Sequence, residues 1–321
     1  MVALDAPLRA VHAGAGVERA GLSAEEEAAA RDALAAALRA GHAELRAGKA
    51  ATEAVVAAIR VLEDAPQFNA GRGAVFTHDG RNELDASLMD GASGRAGAVA
   101  GVHVVRNPIL LARAVMDRSR HVMMVGDGAE AFAREQGVEI VDPSYFRTEK
   151  RWQQLQEALR GEAAEGAGAG ARDGRKYFGT VGAVALDAGG RLAAGTSTGG
   201  MTNKRWGRVG DSPIIGAGTW AAAGCAVSGT GWGEFYIRTA AAHEVCARMR
   251  HRGDTIARAS EAVITGDVVR AGGDGGAIAM DAAGNAAFPF NTEGMYRGWI
   301  GEDGVPHVAV FADEELPLPG R

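Results

Sequence analysis

The dipeptide Gly179–Thr180 is the feature of this sequence that points most directly to chemistry. A polar stretch precedes it, and an apolar run of the β-strand type follows at 181–186. A threonine hydroxyl is a weak nucleophile that needs an adjacent base. If the chain is cut before Thr180, the new α-amine, with a pKa of about 7.7–8, can accept the hydroxyl proton. The sequence therefore predicts an N-terminal threonine nucleophile, and the alternative is a β-branched residue that simply begins a buried strand.

Two glycine motifs offer competing chemistry. Residues Gly195–Gly199 match G-x-S-x-G, the nucleophile elbow of α/β-hydrolases, but the elbow needs a helix after the serine and the following residues form helices poorly. Residues Gly216–Ala221 match G-x-G-x-x-A, and Glu234 lies near the distance expected of a ribose-binding carboxylate. Glycines recur between 224 and 233, where a dinucleotide-binding turn requires a helix. A serine hydrolase and a dinucleotide-binding oxidoreductase are therefore the alternatives to a threonine nucleophile.

Composition and charge argue against several classes of protein. The chain has 321 residues, a hydrophobic fraction of 47% and a formal net charge of −6, which argues against nucleic acid as a partner. No apolar run is long enough for a membrane span, and the N-terminus lacks the apolar segment of a signal peptide. Cys225 and Cys246 are too few for a disulfide framework, which favours a reducing compartment. These features predict a globular, cytoplasmic protein without nucleic-acid or membrane partners.

Helix and strand patterns do not alternate regularly along the chain. A capping box at Ser23–Glu26 opens a helix that is predicted to reach about Arg46, and apolar runs at 74–77 and 83–89 predict a hairpin. Residues 161–176 contain no bulky apolar side chain and predict a flexible linker directly before the possible cut. Strand patterns resume after it, followed by helices and two final strands. This order favours an α+β fold with sheets packed face to face and helices outside.

Several motifs, taken together, resemble the plant-type L-asparaginases with isoaspartyl peptidase activity, which are N-terminal nucleophile (Ntn) hydrolases. They cover nearly the whole chain in order, and they are HAGAG at 12–16, LEDAPQFNAGRGAVF at 62–76, ELDASLMDG at 83–91, GTVGAVALD at 179–187, TSTGGMTNK at 196–204, GRVGDSPIIGAG at 207–218, SGTGWGE at 228–234, GGDGGAIAMD at 272–281 and FNTEGMYRG at 290–298. The resemblance implies one Ntn-hydrolase domain over 1–321, built as a four-layer αββα sandwich. It also implies autocatalytic cleavage into an α-subunit (1–179) and a β-subunit (180–321), and a heterotetramer formed by two such αβ units.

The same resemblance implies roles for four residues in catalysis. Thr180 would be the nucleophile, and Thr198 would orient or polarise its hydroxyl. The Thr230 side chain and the Gly231 backbone amide would form the oxyanion hole, where each donor lowers the barrier by a few kcal/mol. The implied reaction converts L-asparagine or a β-aspartyl dipeptide to L-aspartate through a β-aspartyl ester on Thr180. A glycosylasparaginase-type amidase is the alternative within this class, although no sequence feature indicates a sugar pocket.

Substrate binding is also implied by the resemblance. Arg208 would bind the α-carboxylate of the substrate through two hydrogen bonds, and Asp211 would pair with its α-ammonium. Asn69 would lie near the site. No cofactor is required for this chemistry. A structural sodium ion is implied on the main-chain carbonyls of the loop that contains Asn69, with the ligands Leu62, Glu63, Ala65, Phe68, Ala70 and Arg72.

Three departures from the family pattern bear on maturation. Ala13 stands where related sequences usually have glycine, and an added methyl beside Thr180 would slow cleavage. Tyr177 and Phe178 are bulkier than expected before a cut. Trp232 follows the oxyanion donors directly and is expected to narrow the leaving-group side of the pocket.

Overall fold

The structure is a computed structural model that describes residues 8–165 and 179–317. Within these ranges, the strands form two sheets and most helices lie outside them. The strands are β1 (Leu8–Ala15), β2 (Leu84–Asp90), β3 (Ala96–Val102), β4 (Met123–Val125), β5 (Thr180–Leu186), β6 (Leu192–Thr198), β7 (Thr219–Ala222), β8 (Cys225–Gly231), β9 (Gly275–Asp281), β10 (Ala286–Ala287), β11 (Gly294–Ile300) and β12 (Pro306–Phe311). The helices are α1 (Ala24–Arg46), α2 (Ala51–Asp64), α3 (Pro108–Arg118), α4 (Gly126–Glu135), α5 (Glu149–Glu165), α6 (Gly233–Thr239), α7 (Ala241–Arg252), α8 (Ile256–Glu261) and α9 (Val268–Arg270).

The two sheets differ in size. The large sheet has the strand order β12–β11–β1–β5–β6–β2–β3–β4, and the small sheet has the order β10–β9–β8–β7. Neighbouring strands are antiparallel apart from β3 and β4. Strands β5 and β6 occupy the middle of the large sheet, and β8 lies inside the small one. The residues after the Gly179–Thr180 bond therefore begin a central strand.

Strand β5 illustrates how the sequence forms layers. Side chains alternate between the two faces of a strand. Val181 and Ala183 pack against α1 and α2, whereas Val184 lies in the cluster that includes Ile278 of the small sheet. Helices α6, α7 and α8 cover the other face of the small sheet. This arrangement is a four-layer αββα sandwich, which confirms the predicted fold class.

Local sequence signals set the position of the outer helices. The predicted capping box forms, because the Ser23 hydroxyl accepts from Glu26 N at 3.2 Å and Ser23 N donates to the Glu26 carboxylate at 3.1 Å. Glycine at position 195 allows α2 to lie close to β6, since a Cβ there would be 2.8 Å from Val55 Cγ1. The large sheet can thus carry a closely packed helix behind the strand that ends at Thr198.

Two predictions from the sequence require correction in the first half of the chain. The 74–77 and 83–89 runs do not form a two-stranded hairpin, because only one bridge joins Phe76 to Asn82 and β2 pairs instead with β3 and β6. Helix α5 extends to Glu165, so 161–165 is helical and not part of a flexible linker. The rest of the predicted linker, 166–176, lies outside the described residues.

The cysteines also differ from expectation. Cys225, the first residue of β8, forms a disulfide with Cys246 of α7, and their Cα atoms are 5.6 Å apart. The cysteine count therefore gives no support to a reducing compartment. None of the helices in the described part of the chain is long and apolar enough to cross a membrane.

Candidate active site

Thr180 and Thr198 face each other across the two central strands of the large sheet. They are directly paired in the antiparallel register of β5 and β6. The Thr180 hydroxyl donates to Thr198 Oγ1 at 3.1 Å, and Thr198 Oγ1 also accepts from Gly200 N at 3.0 Å. Both threonines are buried. Thr198 thus makes the direct contact with the Thr180 hydroxyl that the role implied by the family resemblance requires.

Thr230 and Gly231 approach the same region from the small sheet, at the end of β8. Thr230 is fully buried, and its hydroxyl accepts from Ala15 N of β1 at 3.3 Å. A Cβ at position 231 would lie 2.3 Å from Asp274 O, so only glycine fits there. The predicted nucleophile, Thr180, and the predicted oxyanion donors therefore belong to different sheets, and their relative position depends on how the sheets pack.

A narrow cavity brings together several of the predicted site residues, whereas Thr230 and Asn69 do not line it. Its lining includes Thr180, Thr198, Arg208, Asp211 and Gly231. Hydroxyl, guanidinium, carboxylate and backbone groups thus meet in one enclosed space. Such a set suits a small zwitterionic ligand, because it offers one charged side chain for each charge and hydroxyl groups in the same cavity.

Arg208 is held by Glu234, which the sequence indicated only as a possible ribose-binding carboxylate. The carboxylate of Glu234 accepts from Arg208 Nε at 2.9 Å and from Nη2 at 2.8 Å. This two-point pair leaves Nη1 of the guanidinium for another carboxylate. The position of Glu234 in the motif SGTGWGE, three residues after Gly231, is the sequence signal that could have identified this role.

Asp211 is buried without a full set of partners. Its Oδ2 atom has no hydrogen-bond partner among residues 8–165 and 179–317. Burial raises the pKa of the Asp211 carboxyl to about 7, although the nearby Arg208 guanidinium acts in the opposite direction. A buried acceptor that lacks a donor is costly, so this carboxylate is prepared to bind a cation.

Asn69 joins the loop after α2 to the turn after β6. Its side-chain amide donates to Gly200 O at 2.7 Å, and its Oδ1 accepts from Val75 N at 2.9 Å. Its backbone carbonyl accepts from Gly199 N at 3.0 Å. A Cβ on Gly179 would lie 3.1 Å from Asn69 Cβ, so the residue also lies next to the predicted cut.

Comparison with known proteins shows the family to which the chain belongs. A protein-family model described as Asparaginase matches residues 6–310. The chain belongs to this asparaginase family. It is 52% identical over 264 residues to the isoaspartyl peptidase of Escherichia coli (strain K12), with 82% of each chain covered. It is 45% identical over 255 residues to the plant-type L-asparaginase of Pyrococcus abyssi, with 78% of this chain and 83% of that protein covered. A probable isoaspartyl peptidase/L-asparaginase of Arabidopsis thaliana is 43% identical over 278 residues, covering 81% and 85%.

The alternative motifs do not form the sites that they would require in this asparaginase fold. Ser197 lies on the helix-facing side of β6, where its hydroxyl donates to Glu63 Oε1 at 2.7 Å, and no helix follows Thr198. Residues 216–218 form a turn that leads into β7 and not into a helix. The serine elbow and the dinucleotide-binding turn are therefore both wrong.

The loop predicted to bind sodium folds tightly against itself at two glycines. A Cβ at Gly73 would lie 2.0 Å from Phe68 O, and one at Gly71 would lie 2.3 Å from Glu63 O. Carbonyl oxygens are the ligand type that suits a hard cation, and the sodium site on this loop stays a prediction. Residues 8–165 and 179–317 contain no group of three or more His, Cys, Asp or Glu side chains that could hold a metal.

The loop is also fixed from outside by side chains that the sequence did not indicate. The buried guanidinium of Arg151 donates to Gly73 O at 2.8 Å and to Gln67 O at 3.4 Å. The buried carboxyl of Glu63 accepts from Ile109 N at 3.0 Å, and burial raises its pKa to about 8. These contacts fix the loop that carries Asn69 against α5 and the end of α2 against α3.

Ala13 and Gly14 of β1 differ in how they approach the predicted cut. The Ala13 side chain is buried in the cluster beneath α1 and α2. Gly14 lies closest to the scissile residue, because a Cβ there would lie 2.8 Å from Gly179 Cα. The ring of Trp232 packs edge-on against Phe235 at 5.2 Å. Tyr177 and Phe178 lie outside the described residues.

Proposed function

We propose that the mature protein is an isoaspartyl peptidase and L-asparaginase. It hydrolyses the side-chain amide of L-asparagine and the β-peptide bond of isoaspartyl dipeptides, and both reactions release L-aspartate. One observation carries the proposal: the 3.1 Å contact between the Thr180 and Thr198 hydroxyls lies in a cavity shared with Arg208 and Asp211. The family and the named relatives support the same reaction class.

Maturation would use the same nucleophile. The Thr180 hydroxyl attacks the carbonyl carbon of Gly179, and the C–N bond breaks as an ester C–O bond forms. The hydroxyl proton is transferred to the released nitrogen, which becomes the α-amine of Thr180. Water then hydrolyses the ester and leaves a carboxylate on Gly179. The products are an α-subunit of residues 1–179 and a β-subunit of residues 180–321, and two αβ units form the heterotetramer.

In the proposed catalytic cycle, the α-amine that cleavage creates on Thr180 acts as the base. Thr180 Oγ1 attacks the side-chain carbonyl of the substrate while the α-amine accepts its proton. The Thr230 hydroxyl and the Gly231 amide stabilise the tetrahedral oxyanion. The amine then gives the proton to the leaving nitrogen, and ammonia or an amino acid departs. Water, deprotonated by the same amine, cleaves the β-aspartyl ester, releases aspartate and restores the threonine.

Substrate recognition rests on the two charges of the aspartyl group. The donors of Arg208 that Glu234 leaves free bind the α-carboxylate, and the ionised Asp211 binds the α-ammonium. The binding of both groups fixes the scissile carbonyl beside Thr180 and selects an α-amino acid with a free amine and a free carboxylate.

A sodium ion is proposed on the carbonyls of Leu62, Glu63, Ala65, Phe68, Ala70 and Arg72. It would supply charge to fix the loop that carries Asn69, and it takes no part in bond making.

Variants of the nucleophile test this function directly. Thr180→Ala is expected to remain one uncut chain of 33.0 kDa without activity, whereas Thr180→Ser keeps a hydroxyl and retains cleavage. N-terminal sequencing of the wild type is expected to find a chain that begins at Thr180. Ammonia release from asparagine and aspartate release from a β-aspartyl dipeptide measure the activity. Cleavage of Thr180→Ala, or activity of an uncut wild type, contradicts the proposal, and activity on glycan-linked asparagine alone would indicate a glycosylasparaginase.

A further inference from the structure

A group of polar side chains lies between the two sheets, directly beneath the candidate active site. We call it the hydroxyl layer, and its members come from five strands and are all fully buried: His12, Ser87, Thr196, Thr219 and Ser228. Residues two apart on a strand face the same side. Thr196 therefore shares a face with Thr198, and Ser228 shares a face with Thr230.

The hydroxyl layer is a continuous chain of hydrogen bonds that crosses from one sheet to the other. His12 Nε2 lies 2.9 Å from Ser228 Oγ, which lies 2.7 Å from Thr196 Oγ1. Thr196 Oγ1 lies 2.5 Å from Thr219 Oγ1, which in turn lies 2.8 Å from Ser87 Oγ. The large sheet contributes His12, Thr196 and Ser87, and the small sheet contributes the other two, so each of these contacts joins the sheets.

His12 links this chain to the nucleophile. Its ring is fully buried, and burial lowers its pKa to about 3, with a smaller opposite effect from the Thr180 backbone. The ring is therefore neutral and offers one donor and one acceptor. His12 pairs with Gly182 of β5, and a Cβ at 182 would lie 2.0 Å from Ser228 Oγ and 2.4 Å from His12 Nε2. Glycine two residues after the nucleophile is what leaves room for the bond.

An apolar layer would hold the two sheets together equally well, but it would fix their relative position less strictly. The neighbouring cluster between the sheets, which contains Val184, Leu192 and Ile278, does this through burial alone. Apolar contacts are non-directional, whereas a continuous chain of buried hydrogen bonds fixes distances and angles. The directional contacts occur where the nucleophile of one sheet must meet the oxyanion donors of the other.

We propose that the hydroxyl layer is a positioning device that sets the distance between Thr180 on the large sheet and Thr230 on the small sheet. This inference rests on the proposed function, since it assigns Thr230 to the oxyanion. The five side chains touch no substrate and act only through the strands that carry them. Their contribution belongs to the transition state, because the oxyanion forms during the reaction and not on substrate binding.

Thr196→Val is the decisive variant, because valine keeps the shape of threonine and removes its hydroxyl. Steady-state rates with L-asparagine are divided by the fraction of cut chain, so that a slower maturation does not distort kcat. A displacement of about 1 Å can lower a rate by roughly 100-fold, so we expect kcat to fall at least about tenfold. KM should stay within about threefold, and Thr196→Ser should restore kcat.

A matched control separates positioning from a general loss of stability. Ser260→Ala removes a buried hydroxyl on α8 that bonds Ala257 O at 3.2 Å, and it should lower the melting temperature without changing kcat. Ser228→Ala breaks the chain at a second point and replaces Thr196→Val if that variant fails to fold. Unchanged kcat in folded Thr196→Val or Ser228→Ala overturns the inference, as does a rise in KM alone. An inactive wild type would reject the proposed function itself, whereas an active wild type with unaffected variants rejects only this device.

Discussion

Arg208 and Glu234 form a two-point ion pair, with distances of 2.9 Å from Nε and 2.8 Å from Nη2 to the carboxylate. The pair lies beside the buried carboxylate of Asp211, and an added Cβ on Gly233 would be 3.0 Å from Arg208 Nη2. Glu234 thereby fixes the plane of the guanidinium that is proposed to receive the substrate carboxylate. The sequence offered Arg208 as a binding residue, and the structure adds the residue that orients it.

Glu234→Gln is therefore expected to raise KM for asparagine about fivefold and to leave kcat nearly unchanged. Glutamine keeps the shape but loses the charge, and a half-exposed ion pair contributes about 1 kcal/mol. Arg208→Lys should have a much larger effect on KM, because lysine cannot form a two-point bond. Steady-state kinetics with asparagine and one β-aspartyl dipeptide measure both. A lower KM in Glu234→Gln would mean that Glu234 competes with the substrate for Arg208.

Asp211→Asn should stabilise the protein at alkaline pH while it abolishes tight substrate binding. The folded-state pKa of about 7 exceeds the ordinary value of 3.8 for an Asp carboxyl in an unfolded chain. Between these values the folded chain holds a proton that the unfolded chain has lost, so this carboxyl lowers stability as pH rises through that window. The loss above pH 7 is on the order of a few kcal/mol. Melting temperatures at pH 5 and pH 8 should show the larger gain at pH 8, and equal gains would contradict the buried, neutral carboxyl.

The same carboxyl should make KM depend on pH. The substrate ammonium binds the ionised form of Asp211, so KM for asparagine should fall as pH rises through about 7. The Thr180 α-amine titrates in a similar pH range, but its ionisation affects kcat, because the amine transfers protons during the reaction. Asp211→Asn provides the control, and its KM should be high and flat over the same range. A flat KM in the wild type would place the ammonium elsewhere.

The order of strand and helix patterns indicated an α+β fold, and the family motifs implied the four-layer sandwich. The same motifs implied the roles of the site residues, and those roles stay predictions. The pairing of Thr180 with Thr198 follows from two adjacent antiparallel strands. The sequence did not show that Arg151 binds the carbonyls of the loop at 64–74. Arg151 and Gly73 are 78 positions apart, and a contact over that separation leaves no local pattern. The predicted hairpin at 74–89 failed for the same reason, since β2 pairs with β6, which is distant in sequence.

The cysteines show a related limit. A count of two argued against a disulfide framework, but the fold brings Cys225 and Cys246 together across the interface of β8 and α7. Proximity is a property of the tertiary structure and not of composition. The two cysteines are separated by 21 positions, so the bond closes a loop of moderate size.

Removal of this disulfide should lower stability and spare the chemistry. Closing a loop of this length stabilises a protein by about 3 kcal/mol in the chain-entropy model. Cys246→Ser should therefore lower the melting temperature by several degrees, whereas kcat at room temperature should be retained, because the bond lies at the far end of β8 from Thr230. Thermal unfolding of the wild type with and without a reductant gives the same comparison. A reductant that leaves the melting temperature unchanged would show that the bond is absent in solution.

Gly14→Ala should block maturation. Gly14 has a φ of +115°, and a Cβ there would lie 2.8 Å from Gly179 Cα. Alanine at this position must therefore displace Gly179 and move its carbonyl relative to the Thr180 hydroxyl. Gly16 is a matched control with a φ of +84° and no atom within 4 Å of an added Cβ. Both variants carry backbone strain of roughly 1 kcal/mol, but only the first alters the cut. A time course on a denaturing gel should show an uncut Gly14→Ala chain beside a processed Gly16→Ala chain. Equal cleavage of the two would mean that the approach of Gly14 to Gly179 does not position the bond, and equal failure would assign the effect to strain in the 14–16 turn.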